Sequence, residues 1–362
     1  MANVLLTVSG TISPKLQEEL SQRRRPMPDY LAMSRAFGAD LLDYPDARAA
    51  AGFLGKLIEK LAGRNALLAW ACFIQARRYK VIFTDGEQVG IPLALLLKLL
   101  GWVMPNRPRH LMLVHILSVG KKMLFFDKLG IHSHIDTFFV YSTWQKHFIE
   151  DRWKIPPERV VLTPFMVDAA FFRPDAVTPA GPDRLICSVG QEWRDYPTLL
   201  AAARGMNGKV RIATASPWSK RPDTTVGMDI PPNAATCRLN QYDLRQLYAD
   251  SRFMVMPLAD VAFQAGVTAI LEAMAMERAV ICTRTKGQTD VIIDGVQGLY
   301  VPPGDVEALR AAMDRLLDHP EEAERMGKAG RRLIEEQMSL DLYAQRLNVY
   351  VQAAIGAEPG AK

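Results

Sequence analysis

The stretch Met254-Val255-Met256-Pro257-Leu258-Ala259-Asp260-Val261-Ala262-Phe263-Gln264-Ala265-Gly266-Val267-Thr268-Ala269-Ile270-Leu271-Glu272-Ala273-Met274-Ala275-Met276 decides the fold. A short apolar run ends at Pro257, a loop follows to Gly266, and helical periodicity begins at Val267. This is one strand, loop and helix of a parallel α/β layer. The first amides of such a helix have no intrahelical acceptor, so Ala265, Gly266, Val267 and Thr268 offer backbone donors to an anion. Glu272 sits about one and a half turns further on, inside an apolar run. A carboxylate there needs hydrogen-bond donors: sugar hydroxyls would serve, and so would a structural arginine.

The same alternation extends in both directions. Upstream, strands are predicted at Val4 to Val8, Val81 to Thr84, Leu111 to Leu117, Thr137 to Tyr141 and Val160 to Thr163. Helices fall between them at Tyr30 to Phe37, Ala47 to Leu61, Gly90 to Gly101, Lys121 to Leu129 and Trp144 to Trp153. A second series has strands from Leu185, Val210, Phe253, Ala279 and Gly298, and helices at Pro197 to Arg204, Tyr242 to Ala249, Val267 to Ala275 and Val306 to Leu317. Two tail helices follow, Pro320 to Gln337 and Leu340 to Ala354. The segment over 176–183 is rich in Pro and Gly and reads as a linker. The expectation is a first domain over 1–175, a second over 184–338, and a C-terminal helix with tail over 339–362 that packs back on the first. In open parallel sheets ligands bind beyond the carboxyl ends of the strands, so a cleft between the domains is the expected site.

Composition fits this reading. The chain has 362 residues, 49% hydrophobic and 23% charged, which suits a two-domain globular protein and excludes a disordered or disulfide-framed one. The net charge of +5 is uneven: residues 1–175 hold 23 Lys and Arg against 16 Asp and Glu, and the remainder holds 21 against 23. A basic first half suits an anionic partner or merely a solvated face. Cys72, Cys187, Cys237 and Cys282 show no paired spacing and read as reduced thiols. The N-terminus reads as a strand with no export leader, so a cytoplasmic protein is expected. Ile91 to Val103, interrupted by Lys98, falls short of the roughly 20 apolar residues of a spanning helix.

The run from Leu271 to Ala275, the strand Ala279-Val280-Ile281, Gly287-Gln288, Asp294-Gly295 and Gly298-Leu299-Tyr300-Val301-Pro302-Pro303-Gly304-Asp305 together resemble the nucleotide-sugar half of retaining glycosyltransferase family 4. In the first half the likeness is thinner: Gly10, Val140-Tyr141-Ser142, Pro164 to Asp168 and Phe171 to Pro174. The resemblance implies a GT-B fold of two Rossmann-like domains, transfer with retention, and neither metal nor cofactor, the nucleotide sugar being a substrate. It places Glu272 on the ribose hydroxyls. The family's other glutamate would fall at position 264, where this chain has Gln264, so the charge facing the donor sugar is missing. Arg194, in Gly190-Gln191-Glu192-Trp193-Arg194-Asp195, matches the family's phosphate-binding lysine, with a salt bridge to Glu192 or Asp195 as the bland alternative. Lys220 or Arg221 would supply a second cation, and Gly10 a close backbone approach.

Other residues are weaker candidates. His115 closes a strand and would contact the sugar or orient the acceptor, or else be a satisfied core histidine. Asp85 and Glu87 would accept from an acceptor hydroxyl, although Asp before Gly is equally a turn or cap signal. Lys121 and Lys122 lie on the acceptor side. With Arg23 to Arg25, Arg77-Arg78 and Lys128, interleaved with Met123-Leu124-Phe125-Phe126, they suit an anionic membrane surface and a lipid or lipid-linked hydroxyl acceptor. No nucleic-acid module is present. The expected function is sugar transfer from a nucleotide sugar, UDP favoured over GDP, to a lipid, lipid-linked or envelope-glycan hydroxyl, by a cytoplasmic protein with peripheral association to the inner face of the membrane as an option. The rival readings are a nucleotide-sugar epimerase of the same fold and a non-catalytic nucleotide-sugar-binding module; the oligomeric state is open.

Overall fold

Residues 2–101, 104, 106–214 and 225–357 are described by a computed structural model. The chain forms two compact units. One comprises Met1–Glu18, Met27–Thr163 and Asp341–Lys362, the other Glu19–Pro26 and Pro164–Leu340.

The first unit is built on strands β1 (Val4–Thr7), β2 (Asp40–Leu42), β3 (Val81–Thr84), β4 (Arg109–Val114), β5 (Thr137–Val140) and β6 (Val160–Leu162). They form one parallel sheet in the order β2-β1-β3-β4-β5-β6. β1 and β3 are buried along their whole length, as strands covered by helices on both faces must be. The order reverses direction between β1 and β3, so the loops after those strands, carrying Ser9, Gly10 and Asp85, open at one switch point.

After α1 (Leu16–Ser21), whose residues are divided between the two units, the helices of this unit are α2 (Asp29–Phe37), α3 (Tyr44–Ala62), α4 (Arg64–Gln75), α5 (Glu87–Leu100), α6 (Gly120–Leu129) and α7 (Thr143–Trp153). The helix expected from Ala47 begins earlier, because Asp43 caps it by accepting from the Asp46 amide at 3.0 Å. Three of these elements were not anticipated: the short helix α1, β2 and α4. β2 is only three residues long and half-exposed, and α4 follows α3 with only Gly63 between them.

The second unit has β7 (Leu185–Val189), β8 (Lys209–Ala213), β9 (Ala234–Cys237), β10 (Phe253–Met256), β11 (Ala279–Thr283) and β12 (Gly298–Val301), ordered β12-β11-β10-β7-β8-β9 and all parallel. Winding starts at β7, runs outward to β9, then returns to β10. The switch point therefore lies between β7 and β10, the two strands that carry Arg194 and the 257–266 loop at their ends. Helices α8 (Tyr196–Ala203), α9 (Gln241–Asp250), α10 (Val267–Ala275), α11 (Val306–Asp318) and α12 (Pro320–Leu333) cover this sheet. Two apolar layers, one on each face, fill the core.

The expected boundary at 175 and the linker over 176–183 fall inside the second unit. Val167, Phe171 and Phe172 are buried in its core, and Arg331 donates to the carbonyls of Ala169 and Phe172 at 3.2 and 2.9 Å. The last helix, α13 (Leu340–Gly356), belongs with the first unit: Tyr343, Leu347 and Val351 are buried, and the Tyr343 hydroxyl lies 2.9 Å from that of Tyr141. All four cysteines are unpaired, and Cys72, Cys187 and Cys282 are buried. Among the described residues no helix is long and apolar enough to cross a membrane.

Candidate active site

The second unit gathers the sequence-predicted donor residues. After β10 the chain reaches Gly266, whose φ of 76° is left-handed. A side chain there would also place Cβ 2.6 Å from the Met256 sulfur, so only glycine fits. α10 starts on this glycine, and no side chain caps it. The amides of its first turn thus keep their donor capacity and the positive end of the helix dipole, whereas the Ala265 amide, expected among the anion donors, donates to the Phe263 carbonyl at 2.8 Å.

Glu272, one and a half turns along, is 5% exposed. No arginine pairs with it among the described residues; instead the Tyr248 hydroxyl of α9 donates to its Oε2 at 2.9 Å. Burial pushes the carboxyl up to about 7, with the Tyr248 bond pulling the other way. The tyrosine itself is buried and held well above its ordinary value by burial and by the carboxylate. One hydrogen bond for a buried carboxylate leaves acceptor capacity unused.

Arg194 lies on the loop after β7. Its Nε donates to the Val189 carbonyl at 3.0 Å and its Nη1 to the Glu192 carbonyl at 2.8 Å. Its guanidinium lies against Gly190, where any Cβ would come within 2.2 Å of Nη2 and φ is 107°. Among the described residues it forms no ion pair with Glu192 or Asp195. Desolvation lowers its pKa. The loop is zipped to the one after β10: the Asp195 amide donates to the Pro257 carbonyl and the Ala259 amide to the Trp193 carbonyl, both at 3.0 Å. Arg194 is thereby fixed beside the segment leading to α10.

Three further polar side chains converge on this loop, none of them singled out beforehand as a ligand contact except Gln264. Gln288 donates from Nε2 to the Ala265 carbonyl at 2.8 Å. Gly287 packs so tightly that a Cβ would lie 2.2 Å from the Phe263 carbonyl carbon. The Oε1 atoms of Gln264 and Gln288 and the Oγ1 of Thr285 are buried with no protein partner among the described residues. Buried polar atoms are normally satisfied by protein or ordered water, so these three oxygens keep unused acceptor capacity. Tyr248, Thr285 and Gln288 come from elements distant in sequence. Tyr248 was hidden as an aromatic in an amphipathic helix, whereas the Gly287-Gln288 pair was a visible signal. Lys220 and Arg221 lie outside the described residues.

In the first unit the candidates meet at the switch point, with different duties. Asp85 accepts from the Thr7 hydroxyl at 2.6 Å, the Ser9 amide at 2.6 Å and the Ser9 hydroxyl at 2.9 Å, which ties β1 to β3. Burial raises its pKa nonetheless. Glu87, expected to face an acceptor, is 2% exposed and turned inward: it receives the amides of His115 and Ile116 and the Lys122 ammonium, the last at 2.6 Å. Burial favours its neutral form, but the charges of His115 and Lys122 outweigh this and hold it below its ordinary value. Lys122 is thus engaged internally, while Lys121 is exposed. His115 is also exposed, not a core histidine, and its Nε2 sits 3.1 Å from the Asp85 carbonyl. Gly10 has open space where a Cβ would project.

Residues 235–333 match the family profile described as Glycosyl transferases group 1. The alpha-D-kanosaminyltransferase of Streptomyces kanamyceticus is 36% identical over 78 residues, 22% of this chain and 20% of that protein. The MMP alpha-(1->4)-mannosyltransferase of Mycolicibacterium hassiacum is 32% identical over 117 residues, 32% of this chain and 28% of that protein. The chain thus spans well under half the length of these curated relatives. Among solved structures, sucrose-phosphate synthase from Thermosynechococcus elongatus superposes with a TM-score of 0.73 at 17% identity, covering 99% of this chain and all of that one. The chain has the GT-B fold. Anabaena HepE, solved in complex with UDP and glucose, matches at a TM-score of 0.69 and 11% identity over 98% of this chain and all of that one. Within the GT-B fold, the matched segment 235–333 is the one that carries Tyr248, Gln264, the Gly266 helix start, Glu272 and Gln288.

Proposed function

We propose that this protein is a retaining glycosyltransferase that moves a sugar from a nucleotide donor, a UDP-sugar favoured over a GDP-sugar, to the hydroxyl of a lipid or lipid-linked acceptor. The observation that carries the reading is Glu272: a buried carboxylate with a single protein hydrogen bond, one and a half turns into a glycine-started helix whose first turn has no side-chain cap. A ribose diol supplies the missing donors to the carboxylate, and the diphosphate takes the helix amides and Arg194.

The chemistry follows from charge. As the bond from the anomeric carbon to the phosphate oxygen breaks, negative charge grows on the leaving diphosphate, where the α10 amides and Arg194 stabilise it. The acceptor oxygen forms its bond to the anomeric carbon on the face the diphosphate leaves. Its proton passes to the departing phosphate oxygen, so no protein base is needed. Gln264 positions the sugar by hydrogen bonding and adds no countercharge to the oxocarbenium-like centre.

The test is a thermal-shift screen of UDP, GDP, ADP and their sugars, because a ligand that binds only the folded state raises stability by mass action. One nucleotide class is expected to raise the melting midpoint, and Glu272→Ala to abolish that rise and the calorimetric binding isotherm. A screen with no hit, or an alanine variant that binds as tightly as the natural protein, refutes the assignment. Conversion of the donor in the absence of any acceptor would instead mark an epimerase.

A further inference from the structure

α3 is built against the usual logic of a surface helix. Gly52 breaks it with φ 58° and ψ −143°, outside helical geometry, so residues 53–62 form a separate arm. The inner face of that arm is well specified. Gly55 is buried, and a Cβ there would come within 3.0 Å of Leu67 on α4. Glu59 turns back to Arg48, whose Nε donates to it at 2.7 Å, and Arg64 approaches it at 3.7 Å.

The outer face carries the side chains that should be inside. Phe53 is 84% exposed, Leu54 48%, Leu57 43% and Leu61 77%. Phe53, Leu57 and Leu61 follow the i, i+4 spacing and share one stripe. Exposed apolar residues scattered singly mean nothing, but four on ten residues of one helix mark an interaction surface. Lys56 and Lys60 flank the stripe and are exposed, and Arg64 follows at the end of the arm. The arm's one carboxylate, Glu59, is already engaged on the inner side.

We propose that this arm is a bilayer-docking surface: Phe53, Leu54, Leu57 and Leu61 enter the headgroup–acyl boundary of an anionic membrane while Lys56 and Lys60 engage lipid phosphates. Charge complementarity selects this occupant. An apolar stripe bordered by cations alone suits an anionic lipid surface, whereas two copies packed stripe to stripe would bring like charges together. The proposal deepens the lipid-borne acceptor reading by placing this surface on α3 of the first unit. In the Met123 to Phe126 run Phe126 is buried and Lys122 is held by Glu87, while Leu124, Lys121 and Lys128 stay exposed.

The experiment is flotation of the full chain, without donor or acceptor, with vesicles of phosphatidylcholine alone and of phosphatidylcholine mixed with phosphatidylglycerol, at low salt. Binding to the mixed vesicles is expected. Phe53→Ser/Leu57→Ser/Leu61→Ser should reduce it by more than about tenfold, with circular dichroism and melting midpoint unchanged because the replaced side chains are exposed. Lys56→Gln/Lys60→Gln should weaken binding about fivefold per charge on the mixed vesicles and leave the neutral ones unaffected. Absence of binding by the natural chain, or full binding by both variants, overturns the proposal. So does a dimer in sedimentation velocity that the serine variant dissolves without any vesicle binding, which would assign the stripe to a second copy. None of these readouts uses nucleotide, so they stand or fall apart from the transferase reading.

Discussion

Replacing Glu272 by glutamine is expected to stabilise the ligand-free protein at neutral pH while removing its donor affinity. The folded protein holds this carboxyl at about 7, against an ordinary value of 4.5. Between those two pH values the unfolded chain releases the proton and the folded one retains it, so the natural protein loses stability as pH rises through the window. At about 1.4 kcal/mol per pH unit, the deficit reaches roughly 3 kcal/mol above pH 7 as a ceiling, and it vanishes below about pH 4.5, where both states are protonated. Glutamine is neutral throughout, is nearly the same size, and its amide oxygen accepts from Tyr248 as the carboxylate does. Urea denaturation of both proteins across about pH 4 to 8 should show curves that coincide at the acid end and diverge by up to a few kcal/mol at neutral pH, with the variant above. A constant offset, or a variant less stable at pH 7, would show that burial of an ionised Glu272 is not what the fold tolerates for the sake of a ligand.

Gly287→Ala forces the Phe263 backbone away and loosens the Gln288 grip on Ala265; a loss of about 1–3 kcal/mol in stability and at least roughly tenfold in donor affinity is expected by denaturation and calorimetry, and unchanged donor affinity would separate this loop from the site. Gln264→Glu places a charge where a neutral oxygen is buried without a partner; steady-state kinetics should show KM for the donor raised about tenfold with no gain in kcat, since about 1.4 kcal/mol is tenfold. A higher kcat would instead show that the natural chain is a weakened enzyme.

The parallel strands and the helix carrying Glu272 could be read from the sequence because their signals are local: an apolar run, a glycine, then helical periodicity. β2 and β9 escaped because edge strands are short and half-exposed, so Asp40-Leu41-Leu42 and Ala234–Cys237 lack an apolar run. Tyr248 escaped because its partner is 24 residues away, and the duty of Asp85 escaped because Thr7 and Ser9 lie 78 and 76 residues before it. The boundary was drawn at the Pro- and Gly-rich text, but burial of Phe171 and Phe172 decides to which unit that text belongs. A helix over Ala47 to Leu61 was legible, whereas which of its faces would stay uncovered depended on α4.

The order of the units along the chain has a bearing on biosynthesis. The second unit's main body, Pro164–Leu340, is one uninterrupted segment, so it holds nearly everything it needs as soon as it leaves the ribosome. The first unit waits: its sheet emerges early, but Tyr343, Leu347 and Val351 arrive only with α13. Until then the cover over Tyr141 is missing, and the unit begun first is completed last. A stalled or truncated chain would therefore present a finished donor-side unit joined to a first unit with an open apolar flank, the kind of species on which chaperones act.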